Sequence, residues 1–139
     1  MSRFAPLLCC CTLALASPAG ADELPGTKAE LACRPEAAPG RVLCELRVTA
    51  LPGARLGWAD ALVTSAPAFV RPLRSRVSPE RFAGAGASER KLSLALVASE
   101  SGVGLLTVRS RAVVCRGQGE AERCRPELQD VQAEVRVGS

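Results

Sequence analysis

The chain has 139 residues, a net charge of +4 and neither histidine nor tyrosine. A charge this mild argues against nucleic acid as a partner. The missing histidine removes the commonest general base, the usual zinc ligand and any histidine-based triad. Seven cysteines are the strong compositional signal that remains, and their placement bears on compartment.

In chain order, Arg3 supplies a positive start and Leu7 to Ala16 is a short apolar run. Pro18 ends that run, and Ala19-Gly20-Ala21 is a small-residue cleavage pattern ahead of Asp22. The run is shorter than the roughly 20 apolar residues a membrane span needs. Residues 1–21 therefore read as a secretory signal peptide, and residues 22–139 as a single domain with no membrane span. Cys9, Cys10 and Cys11 fall inside the signal. Lipid attachment there is the alternative, but Leu8 stands before Cys9 where such sites want a small residue. Arginine dominates the basic residues and alanine is abundant, as in the proteins of GC-rich bacteria. The expected location is periplasmic or extracellular.

Beyond the signal the apolar residues recur with period two, the period of a strand. Val42, Cys44, Leu46 and Val48 form one such face; Leu92, Leu94, Leu96 and Ala98 a second. Leu106, Val108, Ala112 and Val114 form a third; Val131, Ala133, Val135 and Val137 a fourth. Weaker candidates run over residues 28–33, 55–64 and 68–74. Pro39-Gly40, Pro52-Gly53, Ser101-Gly102 and the Gly117 to Gly119 stretch supply turns. Residues 53–57 and 84–88 read as glycine-containing loops. Pro72 and Pro79 keep the middle of the chain out of a central strand. About seven short strands in one exported domain predict an all-β, immunoglobulin-like two-sheet β-sandwich, with a small barrel as the alternative. Trp58, Phe69 and Phe82 are the only aromatic residues beyond the signal, so the core must rest on Leu, Val and Ala.

Cys33, Cys44, Cys115 and Cys124 allow three pairings. Local pairing, Cys33–Cys44 with Cys115–Cys124, ties the arms of two hairpins. Nested pairing, Cys44–Cys115 with Cys33–Cys124, would follow the Cys, Trp, Cys order of antibody-type domains. Strand parity favours the local choice, because Cys115 shares the parity of Arg109 and Arg111 and should face away from the core. As staples in a core of small aliphatic side chains, each bridge is expected to contribute roughly 2–4 kcal/mol.

Catalytic signatures are missing. There is no Cys-x-x-Cys, no Gly-x-Ser-x-Gly and no phosphate-binding glycine loop, and neither a metal nor a cofactor is called for. Asp60, beside the lone Trp58, has no second acid nearby and reads as structural or solvent-facing. Arg71, Arg74, Arg76 and Arg81 cluster around the two prolines. Such a cluster can hold phosphate or carboxylate, but a solvated loop is the favoured reading, since no aromatic residues interleave the arginines.

The carboxy-terminal cysteines carry a resemblance. Val113-Val114-Cys115, then Cys124-Arg125-Pro126, then the strand through Val137 resembles the end of the periplasmic amino-terminal domain of the thiol:disulfide interchange protein DsbD. The spacing between the cysteines is longer here than in that family, and no aromatic residue precedes Cys115. The resemblance implies an immunoglobulin-like fold and a redox pair, Cys115 and Cys124, passing electrons from a membrane partner to thioredoxin-like proteins. It also implies a protective cap over the pair, a role open to Phe69 or Phe82.

Two functional expectations stand side by side. The first is a non-enzymatic binding or structural module of the bacterial envelope, with an envelope protein or other ligand as partner. The second is a thiol–disulfide carrier using Cys115 and Cys124, with a thioredoxin-like partner. An inhibitor or accessory protein presenting the Arg71 to Arg81 loop is a third.

Overall fold

A computed structural model describes residues 24–79 and 88–138, and in it every period-two segment is a strand. Eight strands are present among the described residues: β1 (Thr27–Cys33), β2 (Gly40–Ala50), β3 (Ala54–Ser65), β4 (Val70–Pro72), β5 (Arg76–Val77), β6 (Glu89–Ala98), β7 (Gly102–Arg116) and β8 (Arg123–Val137). They form two four-stranded sheets, β1-β2-β6-β4 and β5-β3-β7-β8, in which every strand pairing is antiparallel. The first sheet follows the ABED order of an antibody-type sandwich, and β3-β7-β8 follows its CFG order. The expected seven strands become eight because the proline-containing middle contributes two very short edge strands. Pro72 fits because it lies on β4, at the edge of its sheet, where a missing donor breaks no ladder bond.

The even-numbered faces of β2 and β6 are buried, as their alternation predicts. Leu46, Leu56, Leu94, Leu96 and Leu106, with Val42, Val48, Val108, Val114 and Val135, are the large buried apolar side chains. The core therefore rests on leucine and valine. Phe69 packs at its margin.

β3 departs from simple alternation. Its register with β7 shifts between Leu56 and Trp58, which makes Gly57 the extra residue of a bulge. Gly57 thus belongs to a strand rather than to the loop expected over residues 53–57. The bulge changes parity: Leu56, Ala59 and Ala61 face the core, while Trp58 and Asp60 face outward beside Val113 and Arg111 of β7.

Both disulfides are local: Cys33–Cys44 and Cys115–Cys124. In each the two residues stand directly opposite on neighbouring antiparallel strands. They lie on different faces. Cys44 belongs to the core cluster with Cys33 packed beside it. Cys115 lies on the outer face with Val113, so the nested Cys44–Cys115 bridge would have to join opposite faces of two sheets. The turn that closes the second hairpin depends on Gly117, whose φ is +82° and whose missing Cβ would clash with the carbonyl of Ala121.

The open side between β1 and β8 is closed by side chains. The Ala29 amide donates to Gln129 Oε1 at 2.9 Å, and Gln129 Nε2 donates to the Thr27 carbonyl at 2.8 Å. Glu127 accepts from the Gly26 amide and the Thr27 hydroxyl, each at 2.7 Å. These bonds satisfy main-chain groups on the β1 edge, which would otherwise invite another strand.

Candidate functional site

The candidate site is built where the chain changes sheets. β4 pairs with β6 for three residues only, and the last bond of that ladder runs from the Leu73 amide to the Ala95 carbonyl at 3.0 Å. The chain then crosses to the other sheet, where the Val63 amide donates to the Ser75 carbonyl and β5 pairs with β3. The crossing opens a cleft of about 490 Å³ between residues 73–79 and β6, within the size range of small-ligand sites. Arg41, Arg74, Arg76 and Lys91 supply four cations to its lining, Ser78 and Ser93 supply hydroxyls, and none of the described lining residues is acidic.

The cations differ in their commitments. Arg41 and Arg74 are exposed, and neither has an ion-pair partner among the described residues. Lys91 Nζ stands 3.8 Å from Glu89, outside the cleft lining. Arg76 is already engaged: its Nε donates to Asp60 Oδ2 at 2.7 Å. Arg111 grips the same carboxylate, with Nε donating to Oδ1 at 2.7 Å and a terminal nitrogen to Oδ2. Both guanidiniums lie over the Trp58 ring, at 5.9 and 5.8 Å from its centre. Asp60 is fully buried beneath them. The hydrogen bond from Arg111 to Asp60 holds that guanidinium pKa above its ordinary value. Trp58, Asp60, Arg76 and Arg111 therefore act as a clasp that fastens two-residue β5, and one wall of the cleft with it, to the outer face of the second sheet.

The predicted arginine cluster is thus only partly assembled. Arg74 and Arg76 line the cleft. Arg71 lies on β4 opposite Val97, in the row that also holds Arg41, and is outside the lining. Arg81 lies outside the described residues. Arg41 and Lys91 carried no local signal beyond an outward position on an alternating strand. They join Arg74 only because β2, β6 and the crossing segment meet in space.

The Cys115–Cys124 bridge forms a second feature of the outer face. Cys115 is buried and Cys124 exposed. Glu122 places a carboxylate oxygen 3.2 Å from Cys124 Sγ and is ion-paired to Arg55. These three side chains form a trio of possible metal ligands, but the sulfurs are bonded to each other and a disulfide offers no thiolate. Phe69 cannot cap this bridge. It packs against Gly102 at the other end of β7, thirteen residues from Cys115, or about 43 Å along an extended strand. Phe82 lies outside the described residues.

No protein-family model matches the chain, and no curated protein matches it. Among solved structures, an exo β-N-acetylglucosaminidase of family GH20 from Vibrio harveyi, in an inactive D437A form, is similar at 14% identity and a TM-score of 0.41. The similarity covers 82% of this chain but only 18% of that enzyme. A likeness this distant carries no argument about function. The class defined by the coordinates is a disulfide-stapled, all-β sandwich with no helix among the described residues long and apolar enough to cross a membrane.

Proposed function

We propose that the protein is an exported, non-enzymatic binding module of the bacterial envelope, periplasmic or extracellular, whose ligand is anionic. The carrying observation is the cleft at the β4–β5 crossing, which gathers four cations and, among the described residues, no acid. Two cations without acidic partners among the described residues, on a surface that pairs most of its other described charges, leave a local positive field that an anion would neutralise. The signal-like residues 1–21 and the two disulfides support export. Calorimetric titration with inorganic tripolyphosphate tests the reading at low and moderate salt. Binding should weaken with salt, and Arg41→Ala, Arg74→Ala and Lys91→Ala should each lower affinity. Absence of binding at low salt, or equal affinity in all three variants, would refute it.

A second reading is favoured by one observation, the exposure of Cys124 on the outer face. As a thiol–disulfide carrier, the protein would accept two electrons from a partner dithiol. The Cys115–Cys124 bond would break, each sulfur would take a proton, and the partner's thiols would become a disulfide. Mass spectrometry across a graded glutathione series separates the readings. Selective opening of Cys115–Cys124 at a mild potential supports the carrier; both bridges staying closed until the fold is lost eliminates it.

A further inference from the structure

Where β4 ends, no other strand among the described residues continues along that edge of the first sheet, and the edge is one wall of the cationic cleft. Bonding in an antiparallel ladder alternates. The Ser99 amide donates to the Phe69 carbonyl and the Leu73 amide to the Ala95 carbonyl, so the odd-numbered residues of β6 direct their main-chain groups toward β4. Continuing that alternation, the main chains of Ser93 and Lys91 point the same way. No strand among the described residues pairs with them there. Both residues line the cleft.

Side-chain placement along this edge is also regular. Lys91 and Ser93 project from the outer face of the sheet into the lining they share with Arg74 and, farther along the sheet opposite Val97, Arg41, while Leu92 turns inward and, with Val77, offers an apolar wall. A strand laid along the edge would alternate its own side chains in the same sense. Acidic residues would meet the cations on one face, and small apolar residues would meet Leu92 and Val77 on the other.

We infer that the ligand of the cleft is an extended peptide segment of alternating acidic and apolar residues, which adds to the first sheet as a strand along the free edge of β6. The inference rests on the cleft being the binding site. Main-chain bonds to Ser93 and Lys91 supply the docking register, and charge complementarity with Arg41, Arg74 and Lys91 supplies selection. The edge between β1 and β8 is sealed by Gln129 and Glu127, and of the remaining edges the one along β6 lines the cationic cleft.

The probe is an acetylated and amidated (Glu-Val)4 peptide, compared with (Lys-Val)4, with a (Glu-Val)4 peptide methylated on alternate main-chain nitrogens, and with tripolyphosphate. The expected result is binding of (Glu-Val)4, weakened about fivefold by Arg41→Ala or Arg74→Ala. At ten times its dissociation constant, the peptide should slow hydrogen exchange of the Ser93 and Lys91 amides about tenfold. Ser93→Pro removes an N–H that the β2–β6 ladder does not use, so it should spare the fold, read by its urea midpoint, but abolish peptide binding. If that variant does not fold, the methylated peptide still decides, and it should bind at least tenfold more weakly. Equal binding of methylated and unmethylated peptides, or of (Lys-Val)4 and (Glu-Val)4, overturns strand addition. Tripolyphosphate binding would then leave the anion-binding reading intact, whereas loss of both overturns both.

Discussion

Replacing Asp60 by asparagine tests the clasp that holds β5. The side chain keeps its shape and loses its charge, so the change isolates electrostatics from packing. Removing one partner of a fully buried ion pair costs about 3–5 kcal/mol, because the remaining charge is left without solvent or counter-charge. Asp60 is fully buried, but the Arg76 and Arg111 side chains are 54% and 32% exposed. Water can therefore resolvate much of each guanidinium, and the expected cost of Asp60→Asn falls to about 2 kcal/mol. For a domain of this size that is a drop of roughly 8 °C in Tm. Trp58 is the only tryptophan and lies beneath both guanidiniums, so urea unfolding followed by its fluorescence reports the stability and the local change together. Its native emission should also shift to the red as Arg76 and Arg111 loosen. Arg76→Gln should cost less, since Asp60 keeps Arg111. An Asp60→Asn variant with an unchanged urea midpoint and unchanged Trp58 emission would refute the clasp.

Three further outcomes are expected. Burial acts to raise the Glu127 pKa, but the Thr27 hydroxyl, the Gly26 amide and Arg125 outweigh it and hold the carboxyl below its ordinary value. A depressed pKa means that this contribution is complete above the ordinary carboxylate range and is lost as pH falls through the folded-state value. Chemical denaturation from pH 7 to 3 should show that loss, and Glu127→Gln should flatten the acid limb; parallel profiles would rule it out. The disulfides close loops of similar length, with sequence separations of 11 and 9, so chain entropy assigns each about 3 kcal/mol. Each bridge has one buried cysteine, Cys44 or Cys115, but Cys33 packs against the core while Cys124 is exposed, so Cys33→Ala with Cys44→Ala should cost about 1 kcal/mol more than Cys115→Ala with Cys124→Ala; equal losses in urea titrations would refute that difference. Finally, a Cβ at Gly102 would stand 2.9 Å from the Phe69 ring, so Gly102→Val should destabilise by about 1–3 kcal/mol, and a neutral result in thermal melts would refute that packing.

Much of the architecture was legible without coordinates. Alternation over β2, β6, β7 and β8 is strong because each strand has one face on an aliphatic core and one in solvent. The same parity placed Cys115 on the outer face and thereby favoured the local bridges. β3 was less legible because its bulge at Gly57 reverses the alternation partway along. Nothing local marks Asp60 as buried: its covering arginines come from β5 and β7. Arg74 and Arg76 stood out as part of a cluster in the chain, yet the structure gives them different tasks, one lining the cleft without an ion-pair partner among the described residues and one also held by the clasp.

The sequence by itself determined the period-two strands, the turns between them and the aliphatic core, since these follow from neighbouring residues and their burial. Tertiary structure alone decided the cleft. It arises from the point where β4 stops and the chain crosses to the other sheet, which brings Arg41 of β2 and Lys91 of β6 together with Arg74. Contacts between residues so far apart in the chain depend on register and sheet order, and those are set by the packing of the whole domain.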